Sequence, residues 1–567
     1  MNRRMAAVIA SFATAAACMV SCGAPKPKVL MVMFDGARAD CYFNAKCPTL
    51  HSLVEGTWAK GYGCAHTFCG RTILDARTYS YPNHSAILSG ISAAKHGVQF
   101  NFQFRQFDSG KFPNWIACLH KAKPTLKCQY IYADGCDASL GNDRTLPMFV
   151  PSGSPEVCDA KAADEAVRIF SCAEVPDAAT FFLEEPDCSG HASSYYPSDA
   201  KYLAAFSRSD AHLGRVLDAI KSRPQFSDED WLILFTTDHG GVLSGHGAMG
   251  GHCETVPMLV VGRHVGHGEI VGRPRLFDLP ATALAHFGLK AKDFGMDGVP
   301  LGDKVAQVPR STLDAGLVAY MPFNCRNNTG ENAVKTSGIT ASGWGDLEYL
   351  KNSYSDKDPF PAGAPTRLFG RIYGTEGVPV AFRLDGAQKV FADRKKGFAV
   401  TFWMRQWNDH SNGLSNPVVM GNKDLSSPKS PGFAIRMADF AQRMPRGMGL
   451  EFADKAGNER TLGVFMPELK HWNFYAVSVR PDGVVLFCQG RMHGDFHLIA
   501  DNSRGADFGS QLPLFVGQDG TGEYWHGDWF DVDEFGLWDR ALTPEEMHDV
   551  YGRGRGGKSL VDGMKLF

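Results

Sequence analysis

Three unbroken apolar runs, each ending in an acidic motif, constrain this chain most. Val29-Leu30-Met31-Val32-Met33-Phe34 leads into Asp35, Thr180-Phe181-Phe182-Leu183 into Glu184-Glu185-Pro186-Asp187, and Trp231-Leu232-Ile233-Leu234-Phe235-Thr236 into Asp238-His239. A run apolar at every position suits a strand covered on both faces, as in a parallel sheet. Ligands of such sheets bind at the carboxyl ends of the strands, so the three acids are expected to converge there. Between the second and third runs, Ser198 to Lys221 places Leu203, Phe206, Leu213, Val216, Leu217 and Ile220 on one helical face. That helix makes a β-α-β crossover.

The acids have company. Ser80-Tyr81-Pro82-Asn83-His84 offers a hydroxyl, and His191, His239 and His246 join Asp35, Asp187 and Asp238. Three Asp and three His can supply three ligands each to two metal ions. Two ions about 3.5–4 Å apart hold the attacking and leaving oxygens of an in-line displacement at phosphorus. Imidazole mixed with carboxylate suits zinc. Pro82 and Asn83 predict a tight strand-to-helix turn at Ser80, with the helix beginning over Ser85 to Ser89. Its first N–H groups would face an anion. Asp187 and His191, four apart, reach one metal from one turn. His252 follows six residues after His246 and competes for its role.

The chain has 567 residues, room for several domains, and a net charge of −3. No global basic field points to nucleic acid. The run Tyr551-Gly552-Arg553-Gly554-Arg555 reads as a solvated tail. Arg3 and Arg4 precede an apolar stretch, Met5 to Ala17, too short to span a membrane. Met19-Val20-Ser21-Cys22 looks like a bacterial lipobox. Residues 1–22 are then a lipoprotein-type signal, and Cys22 is lipidated, anchoring an exported protein in the bacterial envelope. Ordinary cleavage nearby is the alternative. Fifteen cysteines include Cys18 and Cys22, and the rest allow up to six disulfides in an oxidising compartment.

FDGARAD, SYPNHSAILSGISAAKHGVQFN, FLEEPDCSGH, TTDHGG and GHG, in that order, resemble the alkaline phosphatase superfamily. Within it they are most similar to the nucleotide pyrophosphatase/phosphodiesterases. The resemblance spans about residues 28–303 and implies an α/β fold, an alkaline-phosphatase-like sheet with helices on both faces. It implies two zinc ions, one on Asp35, Ser80, Asp238 and His239, the other on Asp187, His191 and His246. His246 is preferred to His252 by its distance to Pro257-Met258-Leu259-Val260. The resemblance also implies that Ser80 is the nucleophile and that Asn101, after His96-Gly97, donates to a phosphoryl oxygen. The family usually places Thr where this chain has Ser80. The alternatives are a phosphomonoesterase and a sulfatase, whose maturation signal is broken here because His84 occupies its Arg position. Phe100, Phe102 and Phe104 either stack a nucleobase or leaving group or pack as an alternating strand.

After Leu301 the texture changes. Residues 304–315 read as a linker, and short alternating segments punctuated by Gly, Asp and Asn follow. Pro481-Asp482-Gly483 predicts a hairpin turn, and many such strands predict a β-sandwich. FAVTFWMRQW, HWNFYAVSVRPDGVVLFCQG, FVGQDGTG and VDEFGLWDRALTPEEM resemble the laminin-G-like, concanavalin-type jelly roll, here over 316–567. Such modules often bind carbohydrate, and some bind calcium at a rim. Asp519, Asp528, Asp531 and Asp533 would offer carboxylates to Ca2+ or serve as turn residues. The expected partner is a phosphodiester or nucleotide small molecule, with a glycan for the second domain. The non-enzymatic alternative is a carbohydrate-binding surface protein with a decayed hydrolase domain.

Overall fold

The computed structural model describes residues 25–561 and 564, apart from 73–76, 136, 138–139, 248–250, 273, 302–306, 309–310, 324–331, 335, 346–369, 374–379, 394, 407–417, 439–446, 493, 502–504 and 525–528. Cys22 and the signal segment therefore lie outside the described residues.

The first part of the chain builds a mixed sheet from β1 Lys26–Phe34, β2 Gly63–Arg71, β3 Cys128–Tyr132, β4 Met148–Phe149, β5 Ala178–Leu183, β6 Glu229–Thr236, β7 Thr255–Gly262, β8 Gly268–Ile270 and β9 Gln307–Val308. Their order among the described residues is β4-β3-β5-β1-β6-β7-β2-β8-β9. β1 lies between β5 and β6, parallel to both. The three apolar runs are thus neighbours, and their acidic ends emerge on one edge. β9 falls inside the segment read as a linker and pairs with β8.

The unbroken apolar pattern follows from burial on both faces. Val29, Met31 and Met33 pack with Leu88, Trp115, Ile116 and Leu284 on one side. Leu30, Val32 and Phe34 pack with Ala162, Phe206, Leu213 and Leu217 on the other. Each such side chain contributes roughly 1.5–3 kcal/mol on full burial. The crossover helix runs Ala200–Lys221, capped by Asp199, whose carboxylate accepts from the N–H groups of Lys201 and Tyr202.

The later part is all antiparallel. One sheet contains Leu317–Met321, Phe398–Gln406, Trp472–Val479, Val485–Arg491, Phe496–Asp501 and Trp529–Trp538; the other contains Val380–Asp385, Phe433–Ala438, Gly447–Asp454 and Leu514–Val516. Their facing side chains, among them Phe402, Tyr475, Phe487, Ile435 and Phe452, form a common core consistent with a jelly roll. Gly483 takes φ +82° in the Pro481-Asp482-Gly483 hairpin, which only glycine accepts without strain. Helix Pro544–Arg555 starts with a capping box between Thr543 and Glu546. The Tyr551–Arg555 run is the last turn of this helix rather than a solvated tail. Tyr551 is buried because it packs on Trp403, Phe474 and Phe496.

The outer face of the first sandwich sheet rests on the α/β domain. Trp403, Trp472, Phe474, Phe496 and Leu498 share a core cluster with Leu50 and Phe68, and Phe43 packs edge-on against Phe496 at 5.3 Å. Among the described residues no two cysteines are joined, so none of the disulfides the sequence allows forms there. Burial pushes the Cys118 and Cys128 thiols up to about 12.

Candidate functional site

Asp35 follows β1, Asp238 follows β6, and Asp187 lies on helix Glu185–Ala192 just after β5. Local backbone demands explain the flanking glycines. Gly36 has φ +63°, and a Cβ there would lie 2.5 Å from Asp187 Oδ1. Its N–H donates to Asp238 Oδ1 at 2.9 Å, tying the first acid loop to the third. A Cβ on Gly240 would meet the His252 carbonyl oxygen at 2.1 Å, and one on Gly241 the Tyr195 ring at 2.3 Å. The double glycine of TTDHGG therefore lets the chain pass between two packed groups.

Ser80 is the first residue of helix Ser80–Ser89, with Tyr79 as an extended N-cap. The helix begins at the serine itself rather than at Ser85. Pro82, tolerated in a first turn because that N–H has no helical partner, does not delay it. Ser80 Oγ lies 3.2 Å from His239 Nε2.

The structure brings Asp35, Ser80, Asp187, His191, Asp238, His239 and His246 together. His239 Nε2 lies 3.1 Å from Asp238 Oδ2 and 3.6 Å from Asp35 Oδ1. It is also 3.9 Å from Asp187 Oδ1. The His239 and His246 rings stack at 3.8 Å. His246 Nε2 lies 3.1 Å from His191 Nε2 and 3.8 Å from Asp187 Oδ1. His252 is turned away: its Nδ1 lies 3.0 Å from Arg38 Nη2.

His84 belongs to the site although its role was not anticipated. Its Nε2 lies 3.2 Å from both Asp35 Oδ2 and Asp238 Oδ2, and its Nδ1 2.8 Å from Asp137 Oδ1. The donor atoms consequently fall into two groups, Asp187–His239–His246 and Asp35–His84–Asp238, each within 4.8 Å. This grouping differs from the one the resemblance implies. His239 Nε2 nevertheless lies closer to Asp238 Oδ2 and Asp35 Oδ1 than to Asp187 Oδ1, and His84 stands beside Asp35 and Asp238. The available signal was the spacing: Ser80 and His84 are four apart, like Asp187 and His191, so one helical face carries both.

Electrostatics at this edge are strained. Burial, then the charges of Asp238 and Asp187, raises the Asp35 pKa well above the usual carboxylate range. Asp238 is held low: burial opposes this, but His239 and His84 outweigh it. Burial and His239 push His246 down to about 4. Burial would also lower His84, yet Asp137 and Asp35 raise it well above the ordinary imidazole value. Among the described residues, Asp35 Oδ1, Asp238 Oδ2 and His84 Nε2 are buried and make no well-aligned hydrogen bond, although His84 Nε2 lies 3.2 Å from Asp238 Oδ2. Buried carboxylate and imidazole atoms left open to one another are the donor set a divalent cation satisfies, and the N/O mixture fits zinc.

Asn101 opens a 3-10 turn, Asn101–Gln106, and its Oδ1 accepts the Tyr81 N–H at 3.1 Å. The Phe100–Phe104 run is thus not an alternating strand. Phe100 and Phe102 stack at 5.6 Å with Phe102 71% exposed, while Phe104 packs on Tyr81 at 4.8 Å. In the sandwich, Asp531 lies on a strand rather than in a turn, and its Oδ2 accepts from Arg405 Nη2 at 2.7 Å. Asp533 is buried on the same strand. Asp519 organises a turn, accepting from the Thr521, Gly522 and Leu425 N–H groups. Asp528 lies outside the described residues.

Residues 384–548 match the concanavalin A-like lectin/glucanases superfamily, laminin-G type. Over 236 residues the chain is 26% identical to bovine (Bos taurus) bis(5'-adenosyl)-triphosphatase, covering 39% of this chain and 49% of that protein. The chain is thus similar to a nucleotide-cleaving phosphohydrolase over 39% of its length, and residues 384–548 to laminin-G-like domains. It spans about half the length of the curated relatives it matches. Murine ectonucleotide pyrophosphatase/phosphodiesterase 5, in complex with AMP, aligns with a TM-score of 0.36 and 14% identity, covering 47% of this chain and 96% of that one. A 2-O GAG sulfatase aligns with a TM-score of 0.37 and 12% identity, covering 56% and 80%. Among the described residues, no helix is long and apolar enough to cross a membrane.

Proposed function

We propose that this chain is a zinc-dependent phosphodiesterase of the nucleotide pyrophosphatase kind, acting through a phosphoseryl intermediate. The observation that carries the proposal is Ser80. It sits at a helix N-terminus, 3.2 Å from His239, which belongs to one group of metal donors and lies 3.1 Å from Asp238 of the other. The similarity to phosphodiesterases and a bis(5'-adenosyl)-triphosphatase supports a nucleotide or related phosphodiester as substrate.

Asp35, Ser80, Asp238 and His239 would hold one ion, and Asp187, His191 and His246 the other. When bound, the ions lower the pKa of the hydroxyl and neutralise charge on phosphorus-bound oxygens. Ser80 Oγ attacks phosphorus, a Ser–O–P bond forms, and the bond to the leaving alcohol or phosphate breaks. Water then cleaves the Ser–O–P bond and restores the hydroxyl. Asn101 is oriented for its part. Its Oδ1 is engaged by the Tyr81 N–H, so the amide Nδ2 is the donor left for a non-bridging oxygen. The Phe100–Phe102 stack beside it, of which Phe102 is exposed, offers a face to a nucleobase or other flat leaving group.

Zinc-loaded protein is assayed on bis-p-nitrophenyl phosphate, p-nitrophenyl phosphate and p-nitrophenyl sulfate. Dominant diesterase activity is expected, lost with chelator and reduced at least about a thousandfold in Ser80→Ala. Dominant monoesterase or sulfatase activity overturns the substrate class, and turnover surviving in Ser80→Ala overturns the nucleophile.

A further inference from the structure

The strand Phe496–Asp501 ends its sheet, pairing only with Val485–Arg491 among the described residues. Edge strands expose N–H groups at alternate positions. Here every second N–H on that edge is taken by a side chain of the α/β domain. Phe496 N donates to Asn44 Oδ1 at 2.8 Å, Leu498 N to Asp40 Oδ2 at 3.1 Å, and Ala500 N to Thr255 Oγ1 at 3.1 Å. Asn44 Nδ2 also donates to the Phe496 carbonyl at 2.7 Å, so its amide mimics a strand neighbour.

Asp40 is not a passive acceptor. Arg38 Nε donates to its Oδ1 at 2.9 Å and Nη2 to its Oδ2 at 2.6 Å, a fork that fixes the guanidinium plane. The remaining Arg38 donors reach the loop between the last two histidines and its far end. Nη1 donates to the Gly241 carbonyl at 3.1 Å, and Nη2 lies 3.0 Å from His252 Nδ1. An arginine can only donate, so His252 Nδ1 accepts. Gly241 stands two residues after His239 and five before His246, and its opposite side touches the Tyr195 ring. Arg38 and Asp40 are both fully buried, so this bracket is hard to relax.

We propose that Arg38 and Asp40 are positioning residues through which the sandwich's edge strand fixes the His239–His246 loop, making the laminin-G-like domain part of the hydrolytic centre. The chain of contacts runs from the Leu498 N–H to Asp40, to Arg38, to the Gly241 carbonyl, and so to both histidines. The proposal rests on the reading of those histidines as metal ligands. Outer partners that orient metal ligands typically contribute about 10–100-fold in affinity or activity.

Leu498→Pro in the full chain removes the N–H that Asp40 accepts without altering the α/β domain. Proline is tolerated on an edge strand. Leu498→Ala keeps the N–H and loses packing only. In the metal-free proteins, hydrogen exchange over residues 238–247 is expected to quicken in Leu498→Pro but not in Leu498→Ala. Zinc retention against a competing chelator is expected to weaken about 10–100-fold in Leu498→Pro alone. Exchange and retention that move together in both variants, or in neither, overturn the proposal. Asp40→Asn, which keeps an oxygen for Leu498 but loses the charge facing Arg38, serves if the proline variant does not fold, with the same two outcomes. Ser80→Ala separates the two readings, because loss of turnover there with unchanged exchange over 238–247 tests the nucleophile and not the bracket.

Discussion

Ser80 and His84 stand one turn apart on one helix, the serine 3.2 Å from His239 and the histidine 3.2 Å from both Asp35 and Asp238. Helix geometry gives the hydroxyl and the imidazole a common face. Asp137 anchors the far nitrogen of His84 at 2.8 Å. The imidazole thus fixes the positions of the Asp35 and Asp238 carboxylates.

His84→Gln keeps a polar side chain but cannot span Asp137 and both acids. Zinc affinity or kcat is expected to fall about 10–100-fold, with a smaller change in KM. Zinc stoichiometry and steady-state rates on a diester check this. Unchanged values for both would show that His84 is only a filler of the core.

The two candidate histidines after Asp238 are separated by their surroundings. His246 stacks on His239 and meets His191, whereas His252 accepts from Arg38. His246→Ala is expected to lose one zinc per chain and nearly all turnover. His252→Ala is expected to keep both ions and lose less activity, because Arg38 retains Asp40 and Gly241. Metal analysis of the two purified variants decides it, and a zinc deficit confined to His252→Ala would reverse the assignment.

The parallel strands were readable because burial on both faces leaves no polar position, as in Val29 to Phe34. The acids were readable because each follows such a run directly. His84 was harder to read. Pro82 in the motif suggested a later helix start, and with the helix placed at Ser85 the four-residue spacing from Ser80 carried no geometry. Tyr551 to Arg555 misled through composition: glycine and arginine suggest solvent, but Tyr551 packs on Trp403 and Phe496 from a different part of the chain. Asp531 likewise sits in a run with the look of a turn, and its partner Arg405 lies 126 residues away. Contacts of that range leave no periodic trace. The clamp on Phe496–Asp501 belongs to the same class, since Asp40 and Asn44 show nothing in sequence of the strand they meet.

The interface between the domains also predicts a pH dependence. His66 Nε2 on β2 lies 2.5 Å from Glu545 Oε1 on the terminal helix, both nearly buried. Burial would lower the His66 pKa, but the Glu545 charge and hydrogen bonding raise it well above 6.5. Burial would raise Glu545, but His66 lowers it below 4.5. The two directions agree, so the pair is ionised in the folded protein. A raised histidine pKa gives stability that is complete below its unfolded value, about 6.5, and is lost as pH rises through the folded value. A lowered glutamate pKa gives stability present above about 4.3 and lost as pH falls through its folded value. The pair therefore supports docking most between about pH 4.5 and 6.5 and fades on the alkaline side. Calorimetric Tm values across that range and above it, for the wild type and the double variant His66→Gln/Glu545→Gln, isolate the effect. Both neutral side chains can still share a hydrogen bond, so the double variant loses the titration and keeps the contact. The wild-type Tm is expected to fall relative to the double variant as pH rises from about 6.5 to the folded histidine value and to run parallel above it. Parallel curves over the whole range would mean the imidazole is neutral throughout and that docking rests on other contacts, among them Phe43 on Phe496, the strand-edge clamp and the buried Arg480–Glu269 ion pair.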